Sequence, residues 1–256
     1  MPILWRGGVR LFYEVHGAAD GKPPVLLTHG YSASSAMWEP NLPTLGRNRR
    51  LITWDIRGHG RSDSPEDPAL YSEELSVGDM LAVLDAEGVD RAVLGGLSLG
   101  GYLSLAFHLR YPERVAALML FDTGPGFRRD DAREEWNRRV ERTAAAFEMQ
   151  GQDLLGDRPE EEEEGSQRRN AVGLARAARG IMAQHGSHVI DSLPDICVPT
   201  LVLVGAGDQP FLAASEYMAA KIPGARKVAI PDAGHTANVD QPEAFNRAVL
   251  EFLEAT

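Results

Sequence analysis

The chain is 256 residues long, with 43% hydrophobic, 25% charged and 7% aromatic side chains; this ordinary globular composition excludes collagen-like, coiled-coil and disordered classes. Its 26 Lys+Arg against 37 Asp+Glu leave a net charge of −11, so a phosphate-neutralising surface would work against the mean field and no nucleic-acid partner is expected. The single cysteine, Cys197, permits no internal disulfide and no Cys-cluster metal site.

The length suits one large α/β domain or two small ones. No apolar run approaches the roughly 18 residues of a membrane span, and Met1-Pro2-Ile3-Leu4-Trp5-Arg6 lacks the layout of a signal peptide. A cytoplasmic protein with no membrane partner is expected. In chain order, Val9 to Val15 alternates imperfectly and suits an antiparallel edge strand. Val25 to His29, Leu51 to Trp54, Ala92 to Leu94, Val115 to Phe121 and Leu201 to Val204 are short continuous apolar runs, as expected of strands buried on both faces. Helical patterns lie between them. One spans about Ser72 to Glu87, and another runs from Leu99 to Leu109 and stops before Tyr111-Pro112. A last one, Pro242 to Leu253, opens on a proline that a first helical turn tolerates. This alternation implies parallel strands joined by right-handed crossovers.

From Gly124 to about Leu193 the rhythm breaks. No strand-like run occurs, while Trp136, Val140, Ala144 and Phe147 fall at helical spacing, as do the apolar residues of Ala171 to Met182. Several helices inserted between two core strands are expected. Glu160 to Glu164 reads as a solvated loop or frayed helix end.

The sharpest chemical signal is Gly96-Leu97-Ser98-Leu99-Gly100, a G-x-S-x-G that follows an apolar strand and precedes a helix. A serine on so tight a turn needs small residues two before and two after it. The helix behind it contributes free N–H groups and a positive partial charge. A serine that merely caps the helix is the bland alternative. A hydroxyl needs a base, usually a histidine held by a carboxylate. His235 lies in the loop after the short strand Val228 to Ile230, and Asp208 follows the strand Leu201 to Val204. Both positions are carboxyl ends of strands, where α/β sheets place ligands. Asp208 as a loop cap and His235 as a surface residue remain open. After His29-Gly30, the backbone N–H of Tyr31 is placed to converge with that of Leu99 as an oxyanion hole. His29 and His59 read as structural, and His185 and His188 as surface residues with no metal. There is no P-loop, and no G-x-G-x-x-G follows a strand.

Taken together, His29-Gly30-Tyr31, the Asp55–Ser62 loop (D-x-R-G-x-G-x-S), Gly96 to Gly101, Gly205 to Asp208 and Gly234-His235 with Asp240-Gln241-Pro242 resemble the α/β-hydrolase superfamily over nearly the whole chain. Gly-Leu-Ser-Leu-Gly-Gly and the ending Ala-Gly-His…Gln-Pro-Glu-Ala-Phe are most similar to 3-oxoadipate enol-lactonase-like esterases. The resemblance implies a mostly parallel eight-stranded sheet, its antiparallel strand second, with helices on both faces. Residues 1–123 and 194–256 would form the core and 124–193 an inserted helical lid. Serine at position 98 argues against relatives that carry aspartate there. The single glycine after His29 departs from the His-Gly-Gly-Gly type of oxyanion loop. Asp122 occupies an alternative position for the acid. The reading is a cofactor-free, metal-free serine hydrolase of a small ester or lactone, with Ser98, Asp208 and His235 as catalytic residues. Trp38, Trp136, Met182 and Phe211 are candidate pocket residues. Alternatives are a C–C bond hydrolase or lyase on the same scaffold and a slow-turnover ligand receptor.

Overall fold

The computed structural model describes residues 3–18, 21–151 and 171–256. Eight strands form one sheet in the order β1-β2-β4-β3-β5-β6-β7-β8: β1 (Ile3–Arg6), β2 (Val9–His16), β3 (Val25–Thr28), β4 (Leu51–Trp54), β5 (Ala92–Leu97), β6 (Val115–Phe121), β7 (Thr200–Gly205) and β8 (Arg226–Ile230). β2 runs antiparallel to both its neighbours, and every pairing from β4 to β8 is parallel. The second position thus holds the antiparallel strand, as the resemblance implies.

The edge assignment for Val9 to Val15 is corrected. β1 covers that edge, with Arg6 opposite Val9. The two-residue turn between them is Gly7-Gly8, at φ +57° and +79°, values that only glycine adopts at little cost in a hairpin turn.

Successive residues of each buried strand serve opposite faces, as a period of two demands. Leu26, Ile52, Leu94, Leu118, Leu120 and Val202 join one core with α2 (Glu73–Ala86), α3 (Leu99–Arg110) and α7 (Gln209–Lys221). Leu27, Leu51, Val93, Met119 and Leu203 join the other, beneath α1 (Leu42–Leu45) and α9 (Pro242–Glu254). α2 starts where the Ser72 hydroxyl accepts the Leu75 N–H at 3.0 Å.

Between β6 and β7 the described chain contains only helical structure and connections. α4 (Asp130–Gln150) and α5 (Ala171–Ala177), the latter continuing into a π-turn at Ala178–Met182, precede the short α6 (His188–Asp191). Val140, Ala144 and Phe147 of α4 bury a small separate core against Ala171, Leu174, Ala175 and Ala178, which is the helical spacing read from the sequence. Glu160 to Glu164 lie outside the described residues. A last short helix, α8 (Ala237–Asp240), follows β8.

Candidate active site

Ser98 joins β5 to α3 with φ +53° and ψ −114°, a backbone state that costs a non-glycine residue energy and persists only where its surroundings enforce it. Two glycines do so. A Cβ on Gly96 would lie 2.2 Å from the Gly100 carbonyl, and one on Gly100 would lie 2.2 Å from the Thr28 carbonyl oxygen. The Ser98 N–H donates to the Phe121 carbonyl at 2.9 Å, and the Thr123 hydroxyl donates to the Ser98 carbonyl at 2.6 Å. The side chain makes no cap bond to its helix, so the bland reading of a capping serine does not describe it.

Asp208 sits at the head of α7 but likewise leaves that helix uncapped by its side chain. Its Oδ2 instead accepts from Nδ1 of His235 at 2.8 Å. That bond holds the imidazole in the tautomer whose Nε2 is a lone pair. The His235 side chain is 42% exposed and that of Asp208 only 4%, so the imidazole faces solvent while its partner does not. Phe211, one turn into α7, stacks on the ring with centroids 4.9 Å apart and 22° between planes. The loop carrying His235 is stapled by Asp240, whose Oδ2 accepts the Gly234 N–H at 2.8 Å and whose Oδ1 accepts from the Thr236 hydroxyl at 3.2 Å. Asp122, at the end of β6, is fully buried and adopts φ +44°. Its Oδ1 accepts the Gly205 N–H at 2.7 Å.

Among the described residues the backbone N–H of Tyr31 donates to no backbone carbonyl of the turns and loops, and Leu99 opens α3, where the first N–H groups of a helix have no partner within it; both are placed to serve as donors. Tyr31 reaches the inserted helices, its hydroxyl donating to the Leu174 carbonyl at 2.8 Å and its ring meeting Phe147 edge-on. Burial pushes its phenol well above the usual tyrosine range, which keeps it a donor. His29 is fully buried and bonds to backbone, with Nδ1 on the Gly30 carbonyl at 2.7 Å and Nε2 accepting the Ile56 N–H at 3.0 Å. The Asp55–Ser62 loop is framework of the same kind. Asp55 accepts from the N–H groups of Ser35 and Arg61 at 2.6 and 2.8 Å.

Of the four candidate pocket residues, Phe211 lies against His235, whereas Trp38 is corrected: it is fully buried in the core against Phe121 and Phe245. A tryptophan's apolar area makes it core packing far from solvent as readily as pocket lining, and spacing does not separate the two. Trp136 donates its indole N–H to the Met182 carbonyl at 2.8 Å, so these two fasten α4 to the π-turn.

The profile of the alpha/beta hydrolase family matches residues 25–248. The chain belongs to that family. Within it, a Bacillus subtilis protein named as a 2-succinyl-6-hydroxy-2,4-cyclohexadiene-1-carboxylate synthase is 31% identical across 96% of this chain and 95% of its own. The 3-oxoadipate enol-lactonase 1 of Acinetobacter baylyi is 26% identical across 99% of this chain and 96% of its own. The structure of a thermophilic esterase from Thermogutta terrifontis superposes with a TM-score of 0.79 at 32% identity, covering 99% of this chain and 96% of that one. This α/β hydrolase is therefore similar to enzymes whose names include hydrolytic activities. No helix among its described residues is long and apolar enough to cross a membrane.

Sequence reading of this α/β hydrolase missed how Phe211 stacks on His235 and how Asp122 relates to Asp208. Both depend on where α7 and β6 end in space. Phe211 lies three residues after Asp208, so a helix opening at Asp208 would have brought the two side chains to one end of the sheet.

Proposed function

We propose that this α/β hydrolase is a serine hydrolase that cleaves a small carboxylic ester or lactone without a cofactor. Ser98 Oγ attacks the carbonyl carbon as His235 Nε2 takes its proton. The carbonyl oxygen, now an oxyanion, is received by the N–H groups of Tyr31 and Leu99. His235 returns the proton to the leaving oxygen, the bond to it breaks, and an acyl-serine remains. Water, deprotonated by the same nitrogen, then releases the acid and regenerates Ser98. Asp208 holds the ring and stabilises the imidazolium that forms twice in each cycle.

The observation that carries this reading is the uncapped Ser98 hydroxyl on a backbone at φ +53°: strain maintained at a side chain that repays no structural bond points to use of that side chain. The Asp208–His235 bond supplies the matching base. The inserted stretch 124–193 is assigned as the lid, since Tyr31 ties the oxyanion loop to its Leu174. A second reading, C–C bond cleavage or formation on the same scaffold, draws support from the Bacillus subtilis relative's synthase name. The test is intact-protein mass spectrometry after a fluorophosphonate probe, run beside p-nitrophenyl esters, γ-lactones, acyl-homoserine lactones and an enol-lactone. A single adduct at Ser98 with ester or lactone turnover is expected. An adduct at another serine rejects the nucleophile, and labelling at Ser98 without turnover of any ester or lactone favours the second reading.

A further inference from the structure

Among the described residues the buried carboxyl of Asp122 makes a well-formed hydrogen bond through one oxygen only. Oδ1 takes the Gly205 N–H, whereas Oδ2 is buried and meets no donor. The neighbouring carboxyl is that of Asp208, whose own N–H donates to the Gly205 carbonyl at 3.0 Å in the same turn and whose charge acts on Asp122, which makes the two side chains candidates for a mutual hydrogen bond. Two carboxylates are both acceptors and cannot form one; a carboxylic acid beside a carboxylate can. The ionisable groups facing Asp122 among the described residues are Asp208 at the head of α7 and, through it, His235 in the loop after β8. β7 and α8 present backbone N–H groups, those of Gly205 and Ala237.

We infer that the two carboxyls share one proton: Asp122 is the neutral acid, donates its Oδ2–H to Asp208, and so positions the carboxylate that holds His235. The inference rests on the reading of Asp208 as the acid behind His235. Its physics is that of paired carboxyls in a confined site, which cannot both ionise cheaply. Burial is the largest influence raising the Asp122 carboxyl above the usual carboxylate range, with the nearby Asp208 charge acting in the same direction and the Gly205 N–H opposing. Asp122 is then a positioning residue. It donates the hydrogen bond that its neighbour lacks, and it leaves a single negative charge behind the imidazole.

The protonation is read directly in the intact protein by a carboxyl-¹³C titration of labelled aspartate, the Asp122 signal being assigned by its loss in Asp122→Asn. It is expected to ionise well above the ordinary range of about 3.9; ionisation within that range overturns the proposal. A second readout is stability. The unfolded chain releases this proton near the ordinary value while the folded chain keeps it, so the wild type must lose stability as pH rises across the interval between the two. Asp122→Asn lacks that loss, and its Tm relative to wild type should climb between about pH 4 and about pH 8, the value to which burial and Asp208 push the Asp122 carboxyl. A constant difference counts against the shared proton. In activity, Asp122→Ala should lower kcat by about tenfold or more, the order seen when a supporting hydrogen-bond partner is removed. Asp122→Asn, which keeps a donor toward Asp208 and an acceptor toward Gly205, should recover most of it. If Asp122→Asn is as damaging as Asp208→Asn, the Asp122 carboxylate acts in its own right and the proposal fails. If Asp208→Asn costs nothing, the serine-hydrolase reading fails instead, and the titration still reports on Asp122.

Discussion

At Ser98 the backbone strain and the missing cap bond have one practical consequence: the hydroxyl can be removed without touching the fold. Ser98→Ala keeps the Cβ and deletes an oxygen that bonds to nothing within its helix, so Tm should stay put. Turnover and fluorophosphonate labelling should fall by on the order of 10⁴- to 10⁶-fold, leaving what binding and the oxyanion donors supply. A variant that keeps its rate would clear Ser98 of the role. Asp208→Asn is a different experiment, since an amide can present an N–H to Nδ1 and favour the wrong tautomer. A loss in kcat of about 10²- to 10⁴-fold is expected, with the Ser98 adduct still forming slowly. Ser98, Asp208 and His235 stand out in the sequence as candidates because each follows a strand-like apolar run, and a run's end is a local property. Trp38 misled for the opposite reason: whether a large aromatic faces a pocket or Phe245 is decided by α9, about 200 residues away in the chain.

The elements divide along the same line. β3 to β7 announce themselves because a strand buried on both faces is apolar throughout. β1 does not, with Ile3 and Trp5 54% and 66% exposed; its signal was the Gly7-Gly8 turn, which reads as a hairpin only once both flanks are taken as strands. α7 was passed over too, because only Ser215 and Met218 of its thirteen residues are buried and its apolar stripe is thin. The helices between β6 and β7 were legible as helices but not as an attachment. That rests on Tyr31 to Leu174 and Arg176 to the Pro65 carbonyl at 3.0 Å. If this stretch closes the pocket while the sheet does the chemistry, substitutions at Trp136 and Met182 should change kcat/KM unevenly across p-nitrophenyl acetate, butyrate and octanoate. The expected scale is about 1–3 kcal/mol per pocket methylene gained or lost, with acetate least affected. A loss equal for all three esters would mean that the inserted helices support the catalytic geometry itself, through Tyr31, and the division would be wrong.

At the scale of the whole molecule, the ion pairs of the described residues divide into exposed ones and a buried network. The pairs along α4, such as Arg138 with Glu135 and Arg129 with Asp131, are exposed and contribute little, because water screens them and long side chains lose entropy in forming them. Asp79 is the contrary case. On α2, with no exposed side-chain surface, it takes both Nε and Nη2 of the equally buried Arg57 at 2.7 Å each and Nη1 of Arg6 at 2.8 Å. One carboxylate thereby ties together α2, the loop after β4 that frames His29, and the edge strand β1. Asp79→Ala strands a buried guanidinium, and the expected cost is about 3–5 kcal/mol, a fall in Tm of roughly 10 °C for a chain of this size. The pair need not be a net stabiliser for this to hold, since the cost comes from leaving one charge alone. Replacing both members, Asp79→Leu with Arg57→Met, should therefore recover much of the loss, and a thermal-denaturation cycle over the two single variants and the double variant measures it. If the single variant keeps its Tm but loses kcat, the network serves the loop beneath the oxyanion donors rather than the fold. If the double variant is no better than Asp79→Ala, geometry rather than a stranded charge sets the cost.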